Sequence, residues 1–143
     1  MLVQQISVFI ENQPGRLEEV ARVLGQSGVD ITALSLADTS EFGILRLIVD
    51  NPELAQTALR EAGLVVKVTE VLAVAMEDQP GGLASILHHI TQASITIEYM
   101  YAFVGKQDGK AVVVMRVSDL AAASKALEKD VSAKVTARDI YNL

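Results

Sequence analysis

Cysteine and tryptophan are absent from this 143-residue chain, and aromatic residues make up only 4% of it. Without a thiol there can be no disulfide, thiolate metal site, iron–sulfur cluster or thiol catalysis, and the composition fits a reducing cytoplasm. The two histidines, His88 and His89, are adjacent. Neighbours on a helix point about 100° apart, too far to chelate one metal easily. Basic residues number 12 against 18 acidic ones, giving a net charge of −6 and a pI near 4.8. With no basic surface to meet phosphates, neither nucleic acid nor an anionic membrane is expected as a partner. The opening MLVQQISVFIENQPG has no basic leader and no apolar run long enough to span a bilayer, so a cytoplasmic location is expected. No serine sits in a nucleophile elbow, and no glycine-rich loop has dinucleotide or Walker spacing. Glu11 or Glu77 as a general base has the least support, because no group of complementary role is repeated beside either. No catalytic residue, metal site or cofactor is expected.

What the chain does have is a repeat. Glu11-Asn12-Gln13-Pro14-Gly15-Arg16-Leu17 returns 66 residues later as Glu77-Asp78-Gln79-Pro80-Gly81-Gly82-Leu83. Each copy follows an alternating apolar run, Ile6/Val8/Ile10 or Leu72/Val74/Met76, and each opens a stretch of helical periodicity. The motif is thus a strand-to-helix corner present twice. Proline suits the first position of a helix, and a glycine beside it lets another molecule approach the backbone. The unpaired N–H groups of a first helical turn receive a carboxylate or phosphate, and the side chains of Asn12 and Asp78 can accept from an ammonium group. One corner offers something to both ends of an amino acid.

The repeat predicts two small domains, residues 1–70 and 71–143, each in the order β-α-β-β-α-β. In the first half the strands are expected at Val3–Ile10, Ile31–Leu36, Gly43–Val49 and Val65–Val71. The helices follow the corner, on a stripe of Leu17, Val20, Ala21 and Leu24, and the Asp50-Asn51-Pro52-Glu53 cap. The second half places strands at Leu72–Met76, Ile95–Val104, Lys110–Val117 and Ala133–Ile140, with a helix capped by Ser118-Asp119. Asp38-Thr39-Ser40-Glu41 and Gly105-Lys106-Gln107-Asp108-Gly109 are the hairpin turns. Leu64 to Met76 contains no Gly, Pro, Asn or Asp, so the halves are expected to join almost directly, as a rigid pair. The fold class is α+β: two ferredoxin-like units, antiparallel sheets with helices on one face. The other face carries Ala33, Ser35 and Ala37 in one half and Tyr99, Tyr101 and Phe103 in the other. That aromatic stripe predicts a contact surface, and a protein–protein interaction module without a ligand is the alternative functional reading. The RNA recognition motif shares the fold order, but its aromatics lie on strands one and three.

The corner Asn12-Gln13-Pro14-Gly15-Arg16-Leu17, followed by Gly28-Val29-Asp30-Ile31, resembles the signature of the ACT domain. The second half keeps the corner and departs at Ala93-Ser94-Ile95. The resemblance covers nearly the whole chain as two tandem copies, like the small stand-alone ACT pairs of prokaryotes. It implies a non-catalytic regulatory protein that binds a free amino acid where ACT domains meet, most simply in a homodimer. The partner it serves would be a regulated enzyme or a transcription factor. Carried over by position, the ligand contacts would be Asn12, Gln13, Pro14, Gly15, Arg16 and Leu17 in one half and Asp78, Gln79, Pro80, Gly81, Gly82 and Leu83 in the other. Ile31 and Ile97 would line the walls. Because Gly82 lacks the side chain of Arg16, the two sites should not be equivalent.

Overall fold

The computed structural model describes residues 1–38, 41–105 and 109–141, so Thr39, Ser40, Lys106, Gln107 and Asp108 of the expected hairpin turns lie outside the described residues. The chain divides into two compact units. One is built from Gln4–Thr69 with Ile140 from the C-terminal end, the other from Met1–Val3 with Glu70–Asp139.

In the first unit the elements are β1 (Leu2–Glu11), α1 (Arg16–Gln26), β2 (Ile31–Asp38), β3 (Phe42–Val49), α2 (Pro52–Glu61) and the start of β4 (Val65–Glu77). The strand order is β2-β3-β1-β4, and β3 lies antiparallel to both β1 and β2. Ile6, Val8 and Ile10 of β1, Leu45, Leu47 and Val49 of β3, Val20 and Leu24 of α1, and Ala55 and Leu59 of α2 form one core. Burying each large aliphatic side chain contributes about 1.5–3 kcal/mol. Val23 packs against this core, whereas Leu17 and Ala21 of the expected stripe face solvent. Asn51 caps α2 by accepting from the Leu54 N–H at 3.2 Å, with Pro52 in the first turn.

The second unit continues with the rest of β4, α3 (Gly82–Gln92), β5 (Ile97–Ala102), β6 (Lys110–Val117), α4 (Leu120–Leu127), a 3₁₀ turn (Val131–Ala133) and the start of α5 (Ala137–Tyr141). Its strand order is β1-β4-β6-β5, β1 contributing its first residues. Leu72, Val74, Ile86, Ile90, Val113, Met115 and Leu127 are the main members of its core. Asp119 caps α4 by accepting from the Ala122 N–H at 3.0 Å.

The expected closing strand at Ala133–Ile140 does not form. Asp130 accepts from the N–H and hydroxyl of Ser132 and turns the chain into the 3₁₀ segment. Thr136 and Asp139 then satisfy each other's backbone at the head of α5, the Asp139 carboxylate accepting from the Thr136 N–H at 2.6 Å. This Thr-x-x-Asp arrangement starts a helix. The place beside β4 that a fourth strand would take is filled by Met1–Val3, where Met1 and Ala73 exchange both backbone hydrogen bonds, at 2.8 and 3.0 Å.

The sheet face away from the helices is partly buried, although Phe9 on it is 43% exposed. Gln5, Ala33 and Ile48 in the first unit and Val71, Ala73 and Val114 in the second are all buried.

The departure from the repeat at Ala93-Ser94 preserves geometry. Gly28 ends α1 with φ 73°, and Ser94 takes the same left-handed conformation at φ 56°. The Val29 N–H donates to Leu24 O and the Ile95 N–H to Ile90 O, at 3.0 and 3.2 Å. Since a side chain is strained in that conformation, Ser94→Gly is expected to raise stability by about 1 kcal/mol. Urea unfolding of the variant should show a higher midpoint with an unchanged slope.

Candidate functional site

Both corners are built in the same way. The Arg16 N–H donates to Gln13 O at 3.2 Å and the Gly82 N–H to Gln79 O at 3.0 Å. Gly15 and Gly81 adopt φ 88° and 86° with ψ near zero. Each Gln-Pro-Gly-x segment is therefore a type II turn, which needs positive φ at its third residue. The expectation that proline opens the helix is corrected: Pro14 and Pro80 sit at the second turn position, and the glycines precede α1 and α3. Neither helix has a side-chain cap, so first-turn N–H groups remain to meet water or an anion. Further matched bonds fix the corners: Asn12 N–H to Glu41 O, Asp78 N–H to Gly109 O, and Gln13 and Gln79 N–H to Glu11 and Glu77 O.

The corners differ in what surrounds them. The first borders a hollow of about 50 Å³ lined by Ile10, Glu11, Asn12, Gln13, Arg16, Leu17, Leu36 and Gly43. Arg16 is shared between Glu19 at 3.1 Å and Glu11 at 3.7 Å, and Glu18 and Glu19 lie in the first turn of α1. The second borders a hollow of about 170 Å³ lined by Glu77, Gln79, Pro80, Gly81, Gly82, Ser85, Ile86 and Ser132. The first turn of α3 holds no acid. Gly82 there is obligatory, because a Cβ on it would lie 2.0 Å from the Glu77 carbonyl oxygen.

Ser132 belongs to a small polar network. Its hydroxyl donates to one oxygen of Asp130 at 2.5 Å, and the other oxygen of Asp130 lies 3.1 Å from His89 Nε2. The Ser132 hydroxyl foremost, then its N–H and His89, hold the Asp130 carboxyl below its ordinary value of 3.8, against the opposing effect of burial. A carboxyl depressed by folding contributes stability that is complete above its unfolded value and is lost as pH falls through its folded one. The stability difference between the wild type and Asp130→Asn is therefore expected to be constant near neutrality and to shrink below pH 3.8. Urea titrations across that range measure it.

Of the residues expected at the sites, the first hollow gathers Asn12, Gln13, Arg16 and Leu17, and the second gathers Gln79, Pro80, Gly81 and Gly82. Pro14 and Gly15 shape the first turn without lining its hollow, and Asp78 and Leu83 do not line the second. Ile31 and Ile97 pack against the two cores. Sequence reasoning missed Leu36, Gly43, Ser85 and Ser132. Gly43 carried a signal, since glycine within a strand marks a close approach, here of the Leu36 side chain at 3.3 Å from a notional Cβ. Ser132 carried none, lying just before the segment read as a strand.

Tyr99 and Tyr101 stand opposite Arg116 and Val114 across β5 and β6, and with Phe103 they are half-buried. Leu17, Leu34, Leu36 and Phe42 of the first unit are among the exposed apolar side chains, at 40 to 60% exposure. Among the described residues no cluster of three or more potential metal ligands occurs, and no helix is long and apolar enough to cross a membrane.

The chain matches the family model of the ACT domain pair over residues 1–141. Comparison with curated proteins gives no match. Among solved structures it is similar to protein BT0572 from Bacteroides thetaiotaomicron, with 36% identity and a TM-score of 0.91 over 100% of this chain and 98% of that one. It shares its fold with the ligand-free regulatory subunit of aspartate kinase from Thermus thermophilus, at 16% identity and a TM-score of 0.60, covering 92% of this chain and 95% of the subunit. Aspartate kinase from Synechocystis is 18% identical with a TM-score of 0.55, covering 94% of this chain and 27% of the enzyme.

Proposed function

Because this chain belongs to the ACT domain pair family, we propose that it is a non-catalytic regulatory protein that binds a free amino acid at its Pro-Gly corners. The observation that carries this reading is the duplicated type II turn opening an uncapped helix. Each corner offers first-turn N–H groups for a carboxylate and acceptor oxygens for an ammonium group. The first hollow is only about 50 Å³, so it needs a neighbour to enclose a ligand. Exposed Leu34 and Leu36 on edge strand β2, with Leu17 and Phe42 nearby, supply an apolar surface for a second copy of the chain. Ligand bound at such a contact favours one arrangement of the copies over another, and an enzyme or transcription factor reads the difference in the cytoplasm.

A thermal-shift screen against the twenty amino acids tests this. A ligand at a hundred times its Kd adds about 2.7 kcal/mol, a shift of several degrees for domains of this size. The shift should shrink in Asn12→Ala or in Asp78→Ala. Absence of any shift and of any heat on titration across the panel would sink the proposal.

A further inference from the structure

We infer that the second unit holds a further ligand site, a hollow beside α4 that takes a small monocarboxylate with an apolar body and holds its carboxylate between Lys125 and Lys134. The hollow has a volume of about 420 Å³, and every residue lining it belongs to the second unit. Small-molecule sites of about 300–1,000 Å³ combine apolar walls with a few polar groups that fix orientation, and this hollow has both.

Its origin lies in the closing strand that does not form. In the first unit Leu64, Val66 and Val68, leading into and along β4, pack against the core. In the second unit the chain leaving α4 turns at Asp130, and of Val131, Ala133 and Val135 only Ala133 joins the core. One methyl group thus stands where three branched side chains would pack, and a gap of that size is unusual in a close-packed interior. Leu72, Val74, Leu127 and Ala133, all buried, give the hollow an apolar lining. Met1 and Leu2 also line it while remaining 38% and 42% exposed, so an apolar body lying against them would gain by burying them.

The charges set the head group. Lys125, Lys134 and Glu128 are the ionised side chains of the lining. Among the described residues neither lysine ammonium is engaged in an ion pair or a side-chain hydrogen bond. Two cations against one carboxylate leave an excess positive charge at this place, in a chain whose net charge is −6. A monoanion neutralises it, a zwitterion brings no net charge, and a cation is repelled.

Calorimetric titration with butanoate, hexanoate and octanoate tests the inference, with 1-hexanol and hexylamine as the neutral and cationic counterparts of hexanoate. Affinity should rise by about fourfold for each methylene buried, and hexanoate should bind more tightly than the alcohol or the amine. Changing Lys125→Gln and Lys134→Gln together should weaken hexanoate by about tenfold or more, the usual effect of losing a hydrogen bond to a charged group, and leave 1-hexanol unchanged. Ala121→Trp, which places a large ring in the hollow from an exposed position on α4, should abolish the binding of both. No heat with any of the three carboxylates, or wild-type affinity in Ala121→Trp, would overturn the site. Equal binding of hexanoate and 1-hexanol, or a double variant indistinguishable from the wild type, would overturn the role of the lysines. The corners take no part in this site, so the amino-acid reading stands or falls separately.

Discussion

Gly82→Ala is expected to cost about 3 kcal/mol or more of stability, a large loss for one added methyl. The added methyl would stand 2.0 Å from the Glu77 carbonyl oxygen, and contacts under 3.0 Å are not tolerated. No flexible side chain can yield, because the obstacle is backbone. The Glu77 carbonyl also accepts from the Gln79 N–H at 3.0 Å, and the Gly82 N–H holds the turn by donating to Gln79 O. Moving any of these atoms loosens the corner. Arg16 occupies the matching place in the other copy and carries a full side chain, so Arg16→Ala should change stability by less than about 1 kcal/mol, the usual range for exposed ion pairs. Urea unfolding of the two variants side by side decides the matter. A cost near zero for Gly82→Ala would show that the second corner relaxes freely, and the asymmetry of the two sites would then lose its structural cause.

The second large effect is expected at Val3. This residue is 3% exposed in β1 and belongs to the unit otherwise formed by Glu70–Asp139. It follows Met1, which exchanges hydrogen bonds with Ala73. A carboxylate at Val3 would be buried without a partner, so Val3→Asp is expected to destabilise by about 4 kcal/mol. Leu2, one residue away and 42% exposed, provides the control, with Leu2→Asp costing about 1 kcal/mol or less. Amide hydrogen exchange should report the damage along Leu72–Ala75, where β4 loses the support of its neighbour. Equal protection of those amides in both variants would show that Met1–Val3 adds nothing to the second unit.

How much of this was legible beforehand depended on the range of the interactions involved. Local chemistry was readable. The Asn51-Pro52 and Asp119 caps, the strands with one apolar face, and the two Pro-Gly corners all follow from residues within four positions of one another. Even the error at Ala133–Ile140 had a local remedy, since Thr136 and Asp139 are spaced for a helix start. Apolar alternation over the same residues masks that signal, because sequence does not show whether a neighbouring strand is there to pair with.

The rest depended on partners distant in the chain. Ser132 lies beside Gly81 only because Asp130 turns the backbone and meets His89 some forty residues earlier. Gly82 is required by the path of the Glu77 carbonyl, and periodicity carries no record of where a carbonyl points. By itself the sequence determined the α+β class, the duplicated corners and the absence of thiol chemistry. Only the tertiary structure decided that Met1–Val3 would stand beside β4, that the aromatic stripe would be half-buried, and that the two corners would border hollows of different size. Local geometry is set by backbone preferences that neighbouring residues share, whereas a wall or an edge is chosen by whichever distant segment buries the most surface there.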